Sequence, residues 1–343
     1  MTGAPPRHGL GDPRIPWNVL LDARTTTPPE SGSVRRRLQA LARRERWPEP
    51  ALDAVAAGEA PALLASLSAR LAPEEPLDVA VHADGLVLRG DHRVLDGLSL
   101  LSVLGELIGA PAASAARGIA PADRDAPLLP AVVDRLTEVL VRPSARVAPS
   151  RRSRAAGRPS PDVFARRTVD APLSTADLVR AGALAVRAWN AHRGGRSARI
   201  SVAVGVTLTG SGARHLGDHS GFLRLRDVER LSRDEVAVAL RTAPLQPSRA
   251  PGNGPLTTVV GAATRLAAPR LGSTLLVSHL GRVHAPGVED IAFYPVSGGG
   301  SGLSLGAATV ADRTVVTLRA RGRDHDHDGL EQLLEAVAGQ LGG

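Results

Sequence analysis

The 343-residue sequence contains no cysteine, one methionine, one tyrosine, three tryptophans and three phenylalanines. Lysine is absent too: every one of the 42 basic residues is arginine. Without cysteine there is no thiol nucleophile, no disulfide and no thiolate ligand for zinc. Without lysine there is no Schiff-base chemistry and no phosphate-loop lysine. With 2% aromatic residues, the core has to be built from alanine, valine and leucine, and stacking platforms for nucleic-acid bases are poorly supplied. No run approaches the roughly 18 apolar residues of a membrane span. The start, "MTGAPPRHGLGDPRIPW", lacks a charged segment followed by an apolar one. These absences lead to the expectation of a soluble, cytoplasmic protein with no membrane and no nucleic-acid partner.

The length suits one two-lobed unit or two domains. The net charge of +8 favours an acidic partner such as a phosphate-bearing group or an acidic protein. Residues 142–167, "RPSARVAPSRRSRAAGRPSPDVFARR", combine arginine and proline with no apolar period and predict a linker or surface loop. The expected organisation is therefore a first lobe over 1–141, this connector, and a second lobe over 168–343. In the first lobe, Val34, Leu38 and Leu41 are spaced for one helix face, and "PLDVAVHADGLVLRG" alternates around an Ala-Asp-Gly turn as a hairpin does. In the second, Ser174 or Thr175 caps a helix that ends in a glycine pair, and strands follow at "RISVAVGVTL" and "STLLVSHLG".

The end of the chain echoes the first lobe. When Asp328-Gly329 is laid on Asp96-Gly97, a hairpin turn at Ala311-Asp312 answers the one at Ala83-Asp84, and "LEQLLEAVAGQLG" answers "LSLLSVLGELIG". A strand, loop and helix unit thus occurs twice. In this alignment Asp324 falls opposite His92, so only the first copy keeps a histidine.

His92 stands where an extended segment ends and an apolar helix begins, in "LRGDHRVLDGLSLLSVLGELIGAP". A histidine so placed can take a proton from an amine, hydroxyl or thiol as that group attacks an activated carbonyl. Asp96 is spaced to turn back, pair with an arginine and fix the loop. Gly97 is expected to permit a sharp turn, and Leu98, Leu101, Leu104 and Ile108 to anchor the helix.

The segment "DHRVLDG" resembles the active-site motif of dihydrolipoyl acyltransferase cores and chloramphenicol acetyltransferases, and more distantly the HHxxxDG of nonribosomal peptide condensation domains. Because a second lobe follows the motif, the chain is more similar to the two-lobed branch of condensation domains and wax-ester or polyketide-associated acyltransferases. "LLVSHLGRV" resembles that branch's Val-Ser-Asn-Leu-Gly strand, and "FYPVSGGGSGLSLGAATVADRTVVTLR" resembles its segment crossing back toward the first lobe. Asp91 stands in place of the first histidine of the condensation motif, and His279 in place of the usual asparagine.

The resemblance implies an α/β, two-lobed chloramphenicol acetyltransferase-like sandwich, a pseudo-dimer with mixed β-sheets and a tunnel between the lobes. It implies an acyltransferase that moves an acyl group from a thioester, on coenzyme A or a carrier-protein phosphopantetheine, to a small-molecule amine or alcohol. No permanently bound cofactor and no metal are implied; an acidic acyl or peptidyl carrier protein is the implied partner. His92 would be the general base, Asp96 the loop-fixing residue and Gly97 the turn residue, while Ser278 and His279 would face the tunnel and hydrogen-bond substrate or oxyanion. The alternative is a catalytically silent relative that binds carrier proteins as a scaffold, which the short first lobe and the altered flanking residues support.

Three further patterns compete. "GLSLG", Gly302 to Gly306, matches the hydrolase G-x-S-x-G, with Asp312 and His325 following in order, but the alternating segment after Ser304 reads as a strand where an elbow needs a helix. His215 and His219 are four apart, with Gly217 between them favouring a loop over a metal-binding helix. "DHDHD", Asp324 to Asp328, at a helix start reads as caps and dipole partners.

Overall fold

The structure, a computed structural model, describes residues 16–54, 60–70, 75–116, 118–119, 143–150, 161–208, 216–246, 272–297 and 302–342. Two mixed sheets organise it. The first runs β10 (Val288–Tyr294), β1 (Asn18–Thr25), β4 (Gly85–Asp91), β3 (Leu77–His82) and β2 (Leu52–Ala54). The second runs β6 (Val163–Val169), β12 (Arg313–Ala320), β11 (Leu303–Val310), β9 (Leu275–His284), β7 (Val202–Thr207) and β8 (Ser220–Leu225), with short β5 (Ala113–Ser114) also paired to β9. Strand β10 comes from late in the chain yet lies in the first sheet, antiparallel to β1. The polypeptide therefore crosses to the first sheet after β9 and returns for β11.

The helices start and stop where their sequences dictate. Helix α1 (Ser31–Glu45) buries Val34, Leu38 and Leu41, the face expected from their spacing, and ends at Arg46 in the left-handed region. Next come α2 (Ala60–Ala69) and α3 (Gly97–Ile108). Helix α3 buries Leu100, Leu101, Val103, Leu104 and Leu107, so its core face is rotated from the expected one: Leu98 turns to the cavity described below and Ile108 is only partly covered. Gly109, at φ 76°, closes α3, a conformation that glycine adopts without a Cβ clash. Helix α4 (Thr175–His192) begins with a capping box in which Ser174 and Asp177 satisfy each other's backbone amides. Helices α5 (Arg233–Thr242) and α6 (His327–Leu341) complete the set.

The described parts of the segment expected to be a solvated connector, 143–150 and 161–167, are built into the second lobe. Val163–Val169 is strand β6, antiparallel to β12, so the second lobe starts before the expected residue 168. Residues 143–150 are bound along the same lobe: the Trp189 indole donates to the Ala148 carbonyl at 2.7 Å, and Asn190 Nδ2 donates to the Arg146 carbonyl at 2.8 Å. Backbone pairing absorbed a stretch whose side chains look solvent-bound, because edge-strand pairing needs no apolar period. Residue 142 and residues 151–160 lie outside the described residues.

The repeat is present, in a different register. The Val94 and Leu95 amides donate to the Asp91 carbonyl, and those of Asp324 and His325 donate to the Arg321 carbonyl. Asp96 then caps α3 through the Ser99 amide, as Asp326 caps α6 through the Gly329 amide. The equivalent caps are thus Asp96 and Asp326, and Gly322 rather than Asp324 stands opposite His92. Leu88, Arg89, Arg93 and Asp96 align with Leu318, Arg319, Arg323 and Asp326.

Candidate active site

A cavity of about 450 Å³ lies where the two halves of the chain meet, and His92, Gly97, Thr175, Phe222, Ser278 and His279 are among the residues that wall it. The hairpin β3–β4 delivers His92 to this position. Its backbone amide donates to the Trp17 carbonyl at 2.7 Å, which ties the residue to the start of β1. The residue is 9% exposed. Its Nδ1 is sealed from solvent and has no hydrogen-bond partner, and the Asp218 carboxylate lies 3.8 Å away. That leaves Nε2 as the ring nitrogen available to the cavity.

The spacing of Asp96 predicts an arginine partner, but among the described residues its carboxylate meets backbone amides instead. One carboxylate oxygen accepts from the Ser99 amide at 2.8 Å and the other from the His219 amide at 3.1 Å. The Asp96 amide in turn donates to the Gly217 carbonyl at 3.2 Å, and Ser99 Oγ donates to the same carbonyl at 2.7 Å. One aspartate thus caps α3 and staples the 217–219 segment to it. The loop is fixed by backbone amides because the helix start offers unsatisfied donors that a carboxylate accepts well.

Gly97 is needed for space rather than for a turn. It is the first residue of α3, and a Cβ there would come within 2.8 Å of both the Leu280 and Phe293 side chains. Helix α3 can therefore start flush against β9 and β10. Asp91, in place of the condensation motif's first histidine, grips Arg93 through two oxygens and accepts from the Arg93 amide at 3.0 Å. It shapes the turn that carries His92.

Ser278 and His279 both reach the cavity wall, from adjacent positions on β9. Strand alternation sends them to opposite faces. Ser278 faces Gly205 of β7, where a Cβ would lie 3.1 Å from its hydroxyl. His279 faces the start of α4, with Nδ1 3.2 Å from Thr175 Oγ1 and Nε2 buried without a partner. Burial pushes the His279 imidazole down to about 4. It is neutral at physiological pH.

The competing patterns do not assemble. Ser304 is a buried β11 residue whose hydroxyl donates to the Pro295 carbonyl, and Asp312 sits at the exposed β11–β12 turn beside Arg282. No cluster of metal-ligating side chains forms among the described residues; His215 lies outside them. Asp326 is a helix cap, as the acidic run at the start of α6 predicts. Asp218 is the residue the sequence reading missed. The only signal was its place in "RHLGDHSG", which drew attention to the histidines on either side.

No protein-family model matches the sequence, and no curated protein matches it. Solved structures do match its fold. The first condensation domain of the calcium-dependent antibiotic synthetase superposes with a TM-score of 0.60 at 17% identity, covering 96% of this chain and 92% of that one. A variant of the starter condensation domain of rhizomide synthetase, in complex with C8-CoA, gives 0.59 at 13% identity over 96% and 90%. The epimerization domain from the third module of tyrocidine synthetase B gives 0.53 at 13% identity over 96% and 91%. The chain has the two-lobed chloramphenicol acetyltransferase-like fold of condensation domains. No helix among the described residues is long and apolar enough to cross a membrane.

Proposed function

We propose that the chain is a condensation-type acyltransferase that moves an acyl group from a thioester to an amine or hydroxyl. His92 Nε2 takes the proton of the acceptor as its nitrogen or oxygen bonds to the thioester carbonyl carbon. The tetrahedral intermediate then collapses, the carbon–sulfur bond breaks, and the imidazolium returns the proton to the departing thiolate. No acyl-enzyme is required, in keeping with the absence of cysteine and with the burial of Ser304 in a strand. The observation that carries this reading is the placing of His92: at a cavity wall, backbone-anchored, with one ring nitrogen available. The complex of a similarly folded domain with C8-CoA supports coenzyme A as a donor handle, and the fold supports a carrier-protein phosphopantetheine equally.

The test is to incubate the protein with a panel of acyl-coenzyme A and acyl-carrier donors, with amines and alcohols as acceptors, and to weigh products and protein. The reading expects an acylated acceptor, free thiol and an unmodified protein mass. A protein mass raised by an acyl group on serine, or carrier binding without turnover of any donor, would replace it by a hydrolase-like enzyme or by a silent scaffold respectively.

A further inference from the structure

We propose that Asp218 is a positioning residue for His92, holding the imidazole with its hydrogen on Nδ1 so that the Nε2 lone pair faces the cavity. The inference rests on the reading of His92 as a base. A neutral imidazole carries one donor and one acceptor nitrogen, and the environment of one decides the role of the other. Here Nδ1 is closed off from solvent with no hydrogen-bond partner, and the Asp218 carboxylate is 3.8 Å from it. With the hydrogen on Nδ1, an N–H dipole points at a negative oxygen. In the other tautomer a lone pair would face that oxygen, and two negative centres would oppose each other in a partly buried site.

The carboxylate is itself held in place. Asp218 Oδ1 accepts from the Ser220 amide at 3.0 Å and from Ser220 Oγ at 2.5 Å. The residues on either side of it, Gly217 and His219, are the two that Asp96 and Ser99 anchor to the start of α3. Asp96 therefore acts on the base at one remove, by fixing the segment that carries Asp218. The remaining gap exceeds a hydrogen bond by less than an ångström, and catalytic hydrogen bonds are often long in an empty site and tighten around substrate.

The experiment uses the full chain, labelled with nitrogen-15 in histidine, as wild type and as Asp218→Asn. The asparagine oxygen can still accept from Ser220, so the segment keeps its shape while the charge is removed. Imidazole nitrogen spectra of wild type, with His92 assigned by its loss in His92→Gln, are expected to show the hydrogen on Nδ1; Asp218→Asn is expected to shift it toward Nε2. In acyl transfer, kcat of Asp218→Asn should fall by at least about tenfold with KM nearly unchanged. The same tautomer in both proteins, or full kcat in Asp218→Asn beside an inactive His92→Ala, overturns the proposal. If wild type transfers no acyl group at all, the proposed reaction fails, and the spectra still decide whether Asp218 sets the tautomer.

Discussion

His279 shares the cavity wall with His92, and burial keeps its imidazole uncharged. Its native pKa, about 4, lies below the ordinary histidine value of 6.5. Above the ordinary value both folded and unfolded chains hold it neutral, and its stabilising contribution is complete. As pH falls from there toward 4, the unfolded chain binds a proton that the folded one refuses, and stability drains away. His279→Asn should therefore lose less stability between pH 7 and pH 5 than wild type, which urea titrations at the two values will show; an equal loss would mean that the imidazole charges readily in the fold. Gly97→Ala is a second test at this scale. Its methyl group would overlap Leu280 and Phe293, and overpacking of that kind costs about 1–3 kcal/mol, so thermal unfolding should shift downward together with a loss of transfer. The residue types of the site were legible in "DHRVLDG" because a strand end, a histidine and a helix cap need particular side chains there. Their roles were less so. That Asp96 serves amides rather than an arginine, and that Gly97 answers to distant side chains, depends on which segments meet across the cavity.

The repeated unit of hairpin, turn and capped helix shows what sequence patterns can and cannot specify for an element. Existence and type were readable: alternating strands, leucine-rich helices and a cap at Ser174, one of the two candidates, all appear where the spacing places them. Register was not, because the conspicuous Asp328-Gly329 pair masks Asp326 as the true counterpart of Asp96. The cap is defined by which carboxylate reaches an amide, not by its neighbour. Removing each cap separates their uses. Asp326→Ala should cost about 1–2 kcal/mol in thermal or urea unfolding and leave transfer intact, whereas Asp96→Ala should cost as much or more and also slow transfer, since it frees the 217–219 segment. Equal activity in the two variants would show that the staple has no part in the reaction. Ser304→Ala should leave transfer at the wild-type rate, because its hydroxyl only caps the Pro295 carbonyl inside the sheet.

At the scale of the whole molecule, the chain ties its two sheets together at more than one place. Strand β10 joins the first sheet while its Phe293 carbonyl rests where Gly306 of β11 has no side chain; a Cβ there would lie 1.9 Å from that oxygen. Arg166 of β6 reaches Asp22 at 3.1 Å and Asp290 at 3.0 Å, a bridge from the second sheet to the first. Neither tie was visible in the sequence, since each joins residues more than a hundred positions apart or buries a contact that only glycine allows. Two sheets so joined hold His92 of one half against Asp218 of the other. The most direct measurement of that account is the rate of acyl transfer by wild type and His92→Ala, with donor and acceptor found in the panel, alongside their melting temperatures. The account predicts a fall in kcat of about 10²–10⁴-fold with melting and donor binding preserved. Undiminished transfer by His92→Ala would contradict it.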